Sequence, residues 1–434
     1  MGRRKKRLPA DPVEAVVDDL SHDGRGVARV DGKAVFIDGA LPGERVRFVY
    51  RGRRRDFDWG TVEEVLEPSP YRVVPRCPHA GVCGGCSLQH ADPVAQIRHK
   101  RNTLLENLRR IGDVEPEHVL PDLTAGSWGY RRRARLSVKF VEKKGRVLVG
   151  FREKQGRFVA DSQECHVLVP QVGLRIAELG AMLDKLDAKR EIPQIEIAAG
   201  DRETVLVLRH LQPLGEADRE RLRCFEERTG LRFVLQPGGP DSLEPLTGTL
   251  PELTTQVPPG IDLRFTATNF VQVNASLNSA MVDLAIDKLA LSDESAVLDL
   301  FCGLGNFTLP VAKHAARVLG IEGDDELVGL ARDNAARNGI ENARFQVADL
   351  TEDHAFGDFD RVLLDPPRSG AAAALQAIAD TGAERVVYVS CHPGTLARDA
   401  GELVRTHGFT LLEAGVMDMF PHTGHVESIA VFTR

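Results

Sequence analysis

Residues 297–306 read Val-Leu-Asp-Leu-Phe-Cys-Gly-Leu-Gly-Asn, an apolar strand that runs directly into a glycine-rich turn. From about residue 266 to the end of the chain, short β-rich runs alternate with helical segments, a pattern typical of a doubly wound α/β domain. Open sheets of this kind bind ligands outside the carboxyl ends of their strands. We therefore predict a Rossmann-like α/β domain over 266–434, with its site at the strand ends.

Acidic side chains lie at the ends of the strands that follow this turn. Glu322 ends the second strand, Asp349 lies near the end of the third, and Asp365 follows the fourth. A strand-end acid suits the ribose hydroxyls of a nucleoside, and a further acid can accept a hydrogen bond from the adenine amino group. The turn has a single Gly-x-Gly and lacks the third glycine expected near a pyrophosphate. The pattern favours S-adenosylmethionine over NAD.

Cys391 follows another β-rich run, Val387–Ser390, and so lies at the carboxyl end of a predicted strand. A free cysteine often packs as a small hydrophobic residue, but this one shares a sheet edge with a cofactor turn. A thiolate at such a position is a candidate nucleophile. Glu427 lies near the end of the chain and supplies a candidate base. Together these residues predict covalent catalysis at a bound nucleobase.

The composition is that of an ordinary globular protein. The chain has 434 residues, of which 42% are hydrophobic and 27% charged, enough for two to four domains. No segment approaches the length of a membrane span, and no apolar segment follows the basic run at 3–7. We therefore expect a cytoplasmic protein without a membrane partner. In that compartment, seven cysteines favour metal or catalytic roles over disulfides.

Positive charge is concentrated in two regions although the net charge is −7. Residues 1–55 hold 14 Lys/Arg against 8 Asp/Glu, and residues 128–157 hold 11 against 2. This distribution predicts a basic face for nucleic-acid phosphates. The run Arg131-Arg132-Arg133-Ala134-Arg135 is expected to contact them, because exposed ion pairs stabilise a fold by only about 0–1 kcal/mol each. The alternative is a solvated face.

The remainder of the chain divides into two further regions. Residues 8–68 hold five short β-rich runs, with a hairpin signal at Asp31-Gly32, and predict an OB-like barrel of the kind that binds oligonucleotides. Residues 69–91 and 128–265 predict a central α+β domain with one helix near 170–186. Residues 92–127, with a helix over 92–111 that ends at Gly112, are assigned to the α/β domain.

Three cysteines lie close together in the spacing Cys77-x5-Cys83-x2-Cys86. A fourth ligand is required, and Cys165 is the candidate, because Cys224 and Cys302 lie in apolar surroundings that suit packing. Four thiolates suit either zinc or an iron–sulfur cluster. Structural zinc usually takes two Cys-x2-Cys pairs and only one is present, which favours [4Fe–4S]. Reduced thiols without a metal are the remaining alternative.

Taken together, these motifs resemble those of the RNA uracil-5 methyltransferases, and the resemblance covers nearly the whole chain. The N-terminal barrel is similar to a TRAM domain. The matching stretches are Pro75–His79, Gly84–Cys86, Trp128–Arg135, Phe270–Asn274, Leu364–Arg368 and Ser390–Pro393. The sequence departs from the family pattern at Asp349, where some members have an amide, at His392, where Asn is usual, and at Pro367, where Ala is common.

The resemblance implies a monomeric enzyme that methylates C5 of a uridine in 23S rRNA, uridine 1939, within a single-stranded or splayed loop. It implies that Cys391 adds to C6 of the uracil and that Glu427 removes the C5 proton. It also implies a [4Fe–4S] cluster with the ligands Cys77, Cys83, Cys86 and Cys165. The implied S-adenosylmethionine contacts are Gln272, Phe301, Asn306, Glu322, Asp349 and Asp365.

Four other functions remain open at this point. The same chemistry would suit uracil 54 of tRNA. An amino-group methyltransferase would use the Asp-Pro-Pro motif, but this chain has Arg368 where that class usually has an aromatic residue. A radical enzyme would need Cys-x3-Cys-x2-Cys, which is absent from the sequence. An RNA-binding protein without catalysis would leave Cys391 and Glu427 without a purpose.

Overall fold

The computed structural model describes residue 9 and residues 11–154, 156–352 and 354–434; the basic run at 3–7 lies outside these residues. The chain forms two compact units. The first unit takes 1–100, 153–155 and 420–425, and the second takes 101–152, 156–419 and 426–434. The finer division into three domains stays a prediction.

The first unit contains a closed five-stranded barrel, which confirms the OB-like prediction. Its interior is filled by alternate aliphatic and aromatic residues, including Val17, Val35, Ile37 and Phe48. Asp31 and Gly32 both have positive φ, 51° and 78°, as a tight two-residue hairpin requires. The strands, which close in the order β1-β2-β3-β5-β4, are β1 (Val13–Leu20), β2 (Gly26–Val30), β3 (Lys33–Asp38), β4 (Arg45–Arg53) and β5 (Phe57–Glu67).

The predicted helix over 92–111 is present as α1 (Pro93–Asn107), which continues as a π-helical turn over Leu108–Gly112. Asp113 then takes a left-handed conformation and ends the segment. The two-residue strand β6 (His118–Val119) follows. No helix among the residues that the structure describes is long and apolar enough to span a bilayer.

The second unit contains a six-stranded sheet in the order β12-β11-β10-β9-β7-β8. Its strands are β7 (Arg133–Val141), β8 (Arg146–Gly150), β9 (Gln194–Ala199), β10 (Thr204–Arg209), β11 (Arg232–Gln236) and β12 (Glu244–Pro245). The helix expected near 170–186 is two short helices, α2 (Pro170–Gly173) and α3 (Ile176–Leu183). A further helix, α4 (Glu216–Thr229), was not predicted, because few of its residues are apolar and its periodicity is weak.

A two-stranded ribbon, β13 (Leu253–Val257) and β14 (Ile261–Phe265), and helix α5 (Ala275–Leu289) lead into an eight-stranded sheet. The strands of this sheet that follow α5 are β15 (Ala296–Leu300), β16 (Arg317–Glu322), β17 (Ala343–Val347), β18 (Arg361–Leu364), β19 (Arg385–Ser390), β20 (Thr410–Met417) and β21 (Glu427–Thr433). The intervening helices are α6 (Thr308–Ala312), α7 (Asp325–Arg337), α8 (Leu375–Asp380) and α9 (Pro393–Arg405).

The strand order of this sheet, β17-β16-β15-β18-β19-β21-β20-β6, confirms the doubly wound prediction. Strands β15 to β19 are parallel, so their carboxyl ends share one edge of the sheet. The chain winds outward from β15 in one direction and resumes at β18 in the other. The switch point between β15 and β18 is where a ligand is expected.

Candidate active site

The turn after β15 is held in a conformation that residues with side chains rarely adopt. The φ angle is 61° at Phe301, 55° at Gly303 and 95° at Gly305. Glycine reaches such angles without strain, but Phe301 does not, and outliers of this kind are concentrated at ligand sites. A Cβ atom at Gly303 would meet no atom within 4 Å. The turn therefore leaves open space at the switch point, which suits a bound nucleoside.

Glu322, at the end of β16, is tied to this turn. Its Oε2 accepts a hydrogen bond from the Gly303 amide at 3.0 Å, and its Oε1 accepts from the Gly323 and Asp324 amides at 2.7 and 3.2 Å. The carboxylate thus lies beside the glycine turn, as the sequence predicted. A carboxylate here can still accept from a ribose hydroxyl with its remaining lone pairs.

Asn306 closes the turn against α5. Its Nδ2 donates to Asn278 Oδ1 at 3.1 Å, and Asn278 Nδ2 donates back to Asn306 Oδ1 at 2.8 Å. Asn278 is buried on α5, and Asn274 caps the start of that helix by accepting from the Leu277 amide. Sequence analysis did not single out Asn278. Its signal was a polar residue on the apolar face of a helix.

Asp349, just after β17, is exposed on the same edge of the sheet. Its Oδ1 accepts from the Thr351 hydroxyl at 2.7 Å and from the Thr351 amide at 2.9 Å. These hydrogen bonds lower the pKa of the carboxyl below its usual value. Asp349 therefore closes a turn in this structure, and its contact with adenine stays a prediction.

Asp299, in the middle of the β15 run, is a buried acid that sequence analysis did not assign to the site. Its side chain is 1% exposed; Oδ2 accepts from the Thr308 hydroxyl at 2.5 Å, and Oδ1 has no hydrogen-bond partner among the described residues. Burial, together with the nearby charges of Asp365 and Glu322, raises the pKa of Asp299 to about 7. The signal was a charged residue inside an otherwise apolar strand.

Asp365 and Gln272 meet at the switch point. Gln272 Nε2 donates to Asp365 Oδ2 at 3.4 Å, the long end of hydrogen-bond range. Burial raises the pKa of Asp365 above its usual value. The structure thus brings together two residues that lie far apart in the sequence and that were both predicted to contact the cofactor.

The Cys391 thiol lies one residue beyond β19, partly buried at the same edge. Burial raises its pKa to about 11, and the charges of Glu427 and Asp365 add to the rise, while the Arg368 guanidinium opposes it. All three neighbours therefore act on the sulfur electrostatically. In the free protein the thiol is protonated near neutral pH, and Arg368 is the neighbouring cation that favours the thiolate.

Glu427 is the first residue of β21 and is only 3% exposed. Strands β19 and β21 are antiparallel, and their last pair at this end is Ser390 with Ser428. One further step in this register places Cys391 opposite Glu427. The predicted nucleophile and the predicted base are therefore neighbours across two adjacent strand ends.

The loop that carries Arg368 is fastened to α9, the helix that begins just after Cys391. Thr395 Oγ1 donates to the Arg368 carbonyl at 3.2 Å, and Arg398 donates to the Ser369 carbonyl at 2.9 Å. The buried Asp399 accepts from the Ala371 amide at 2.8 Å. These contacts fix the end of the Asp-Pro-Pro-Arg motif and the residues that follow it against the helix.

His392 caps α9. Its Nδ1 accepts a hydrogen bond from the Thr395 amide at 3.2 Å, the role that an asparagine oxygen plays at such positions. The histidine at this position therefore preserves the geometry of the helix that follows the thiol.

The four predicted cluster cysteines are divided between the units: Cys77, Cys83 and Cys86 lie in the first and Cys165 in the second. The Gly85 amide donates to Cys83 Sγ at 3.4 Å. Within 11–154, 156–352 and 354–434, no group of three or more His, Cys, Asp or Glu side chains is arranged to hold a metal ion.

The two cysteines assigned to packing differ from each other. Cys302 is buried, as expected, but Cys224 is exposed on α4, so the expectation that it packs in apolar surroundings was wrong.

The arginine run at 131–135 is largely engaged within its own unit. Arg131 donates to the Arg133 carbonyl and lies over the Phe151 ring, and Arg132 pairs with Asp201. Arg133 donates to two backbone carbonyls. Arg135 is the most exposed, with 69% of its side chain accessible, although it pairs with Glu196. Contact of the run with RNA stays a prediction, and Arg133 is the member whose guanidinium is already used on backbone carbonyls.

Comparison with known proteins adds independent findings. The family described as tRNA (Uracil-5-)-methyltransferase matches residues 259–434, and the TRAM domain matches residues 10–47. The chain is 53% identical to the 23S rRNA (uracil(1939)-C(5))-methyltransferase RlmD of Xanthomonas axonopodis pv. citri (strain 306), covering 100% of both chains. It is also 53% identical to the protein of that description from Alkalilimnicola ehrlichii, covering 100% of this chain and 99% of that one.

Among solved structures, the fold is similar to that of Pyrococcus abyssi tRNA (uracil-54, C5)-methyltransferase in complex with S-adenosyl-L-homocysteine. The TM-score is 0.73 at 22% identity, and the match covers 97% of this chain and 100% of that one. At this identity the match concerns the fold alone.

Proposed function

Because the chain belongs to the family of 23S rRNA uracil-C5 methyltransferases, we propose that it transfers a methyl group from S-adenosylmethionine to C5 of a uridine in 23S rRNA. The position named for its relatives is uridine 1939. The observation that carries the proposal is the placement of Cys391 and Glu427 on adjacent strand ends, beside the switch point and its glycine turn. Cytoplasmic placement follows from this substrate.

The residues at the switch point fit S-adenosylmethionine. The open turn at Gly303 suits the amino-acid portion or ribose, and Glu322 lies where ribose hydroxyls are expected. We assign the cofactor contacts to Gln272, Phe301, Asn306, Glu322, Asp349 and Asp365. The cofactor supplies an electrophilic methyl group on a sulfonium sulfur, which leaves as a neutral thioether when the methyl group is taken.

Cys391 begins the reaction. C5 of uracil is a poor nucleophile, and addition of the Cys391 thiolate to C6 moves the C5–C6 π electrons toward O4 to give an enolate. The C5 carbon of this adduct then takes the methyl group. A thiol placed at a strand end, with Arg368 to favour its ionised form, suits the first step.

Glu427 completes the reaction. Its carboxylate takes the proton from C5, the electrons re-form the C5–C6 double bond, and the C6–sulfur bond breaks to release the Cys391 thiolate. Because Ser390 pairs with Ser428, Cys391 and Glu427 each lie one residue beyond the last pair of β19 and β21, which suits one carboxylate acting on the uracil that the thiol holds. Asp365 and Gln272 orient the uracil through its O4 and N3 groups.

The RNA is held by the barrel and by the most exposed part of the basic run. On the barrel, Phe36, Phe57 and Trp59 form a line of half-buried rings, with centroids 5.2 and 6.3 Å apart. The Arg25 and Arg54 guanidinium groups lie over the outer two rings at 5.0 and 5.9 Å. Rings and arginines in this combination suit single-stranded bases and phosphates, from which the target uridine is turned outward.

The cysteines are proposed as ligands of a [4Fe–4S] cluster, with Cys77, Cys83, Cys86 and Cys165 as the set. The donor chemistry fits, since cysteine thiolates are the ligands of such clusters and an amide N–H donates to Cys83 Sγ, as such hydrogen bonds do at cluster ligands. The described side chains do not form a metal-binding group, so no catalytic step is assigned to the cluster. Its proposed role is structural.

Methylation of uracil 54 in tRNA is the second candidate, favoured by the match of residues 259–434 to the family described as tRNA (Uracil-5-)-methyltransferase. The experiment that separates the two uses 23S rRNA and tRNA transcripts with labelled S-adenosylmethionine, and mass spectrometry to map 5-methyluridine. We expect label at a single uridine of 23S rRNA. Label in tRNA alone would overturn the assignment, and no label in either would overturn the activity.

A further inference from the structure

The segment Arg131–Arg133 runs beside residues 267–274, here called the Gln272 loop, and holds both of its ends. At one end, Arg133 donates to the Ala267 carbonyl at 2.6 Å and to the Thr268 carbonyl at 3.3 Å. At the other end, the Arg132 amide donates to the Val273 carbonyl at 2.9 Å, and Arg131 forms a β-bridge with Asn274. Gln272 lies between the two anchors.

The contacts of Arg133 are those of a structural donor. Its guanidinium is partly buried and uses two nitrogens on two successive carbonyls, a geometry that the planar fork of arginine suits and a lysine cannot reproduce. Backbone carbonyls in a partly buried loop need such donors, because unsatisfied polar groups are costly away from water. An arginine that binds phosphate would instead direct its guanidinium group toward solvent.

The hydrogen bond between Gln272, which lies on this loop, and Asp365 is sensitive to small movements. Gln272 Nε2 lies 3.4 Å from Asp365 Oδ2, so a shift of a few tenths of an ångström takes the pair out of hydrogen-bond range. Both residues belong to the proposed cofactor site. We therefore expect a change that loosens the loop at Ala267 to move the Gln272 side chain.

We propose that Arg133 is a positioning residue that sets Gln272 against Asp365, and that it does not bind RNA phosphate. This rests on the proposed function, since Gln272 is assigned there to the cofactor site. Arg135 provides the contrast within the same run. It is mostly exposed and pairs with Glu196 on β9 at 2.8 Å, so it remains available for phosphate contact.

The test is a double-mutant cycle read by calorimetric binding of S-adenosylhomocysteine to the full chain. We expect Arg133→Lys and Gln272→Ala each to weaken binding by about tenfold, the effect of one lost hydrogen bond. The double variant should bind no more weakly than Gln272→Ala alone, because Arg133 acts through that side chain. The matched control, Arg135→Ala, should bind as wild type does.

Additive losses of about a hundredfold in the double variant overturn the proposal, since they would mean that the two residues act separately. Wild-type binding by either single variant overturns it too. The Lys variant keeps the charge and one donor, which guards against loss of the fold, and circular dichroism checks this. The readout involves no methyl transfer, so it fails independently of the proposed function, which is judged by methylation of rRNA.

A second measurement uses RNA. In a salt titration of 23S rRNA fragment binding, Arg133→Gln should keep the wild-type slope. Arg135→Gln should flatten it by roughly 0.7 of a log–log unit, as expected for one lost contact to a single strand. If Arg133→Gln flattens the slope by the same amount, Arg133 contacts phosphate and the proposal fails.

Discussion

The edge of the eight-stranded sheet and the cysteine-rich segment both require residues distant in sequence to act together, but they do so by different means. At the sheet edge, parallel pairing of β15, β18 and β19 fixes which residues end at one level. The cysteines lie outside the named strands, with only an isolated bridge between Cys83 and Glu153, and the described side chains there form no metal-binding group. Backbone pairing places a site before any ligand is bound, whereas a cluster of loop thiols depends on the ion that it holds.

At the edge of the eight-stranded sheet, the largest effect is expected for Cys391→Ala. We expect methylation to be lost entirely, because no other group in the proposed site can add to C6. Binding of S-adenosylmethionine, measured by calorimetry, should stay within about twofold, since Cys391 is not among the residues assigned to the cofactor. Methyl transfer by this variant would remove Cys391 from the mechanism and leave its strand-end position without a catalytic meaning.

Glu427→Gln tests the role of the β21 strand end independently of Cys391. Loss of a general base typically costs about a hundredfold to ten-thousandfold, and the loss here should fall on release of the product. A covalent RNA–protein band should therefore persist on denaturing gels. As a control, Cys391→Ala/Glu427→Gln should give no band. Normal turnover without an adduct would mean that another group takes the C5 proton.

The electrostatics of the two strand ends predict a pH dependence. With the pKa of Cys391 raised to about 11, its thiolate fraction grows with pH. Alkylation of Cys391 by iodoacetamide in the free protein should accelerate about tenfold for each pH unit between 7 and 10. Glu427→Gln removes a negative neighbour and should speed alkylation at pH 8. Peptide mass spectrometry measures alkylation at Cys391. An alkylation rate that levels off below pH 9 would contradict a raised pKa for a thiol that lies beside Glu427 and Asp365.

Loss of the proposed cysteine cluster is expected to have the smallest effect on methyl transfer. Protein purified without oxygen should carry about four iron and four sulfide per chain, and Cys86→Ser should lose them. S-adenosylhomocysteine binding should be unchanged, because the switch point does not depend on the cluster. Cys224→Ser, which alters an exposed thiol on α4, is the matched control. Stoichiometric zinc in place of iron would overturn the cluster assignment.

The sequence predicts correctly those features for which a backbone rule relates the position of a residue in a strand to its location in the sheet. The barrel, the doubly wound sheet and the strand-end positions of Glu322, Asp365 and Cys391 follow from alternation and from the rule that parallel strands end together. It failed where packing decides. Asp299 was overlooked because nothing in the sequence says that an acid in a strand is buried beside others. The surroundings of Arg133 were not foreseen, because charge alone does not show which carbonyls lie around a guanidinium.

Three acids lie near one another at the switch point: burial first, and then the charges of Asp365 and Glu322, raise the pKa of Asp299 to about 7. Such a crevice repels itself, and a cation relieves the repulsion. The methyl donor carries a positive sulfonium, whereas the spent thioether is neutral. The same carboxylates that favour entry of the charged donor therefore give no such help to the by-product. We therefore expect these acidic strand ends to discriminate between the charged donor and its neutral by-product.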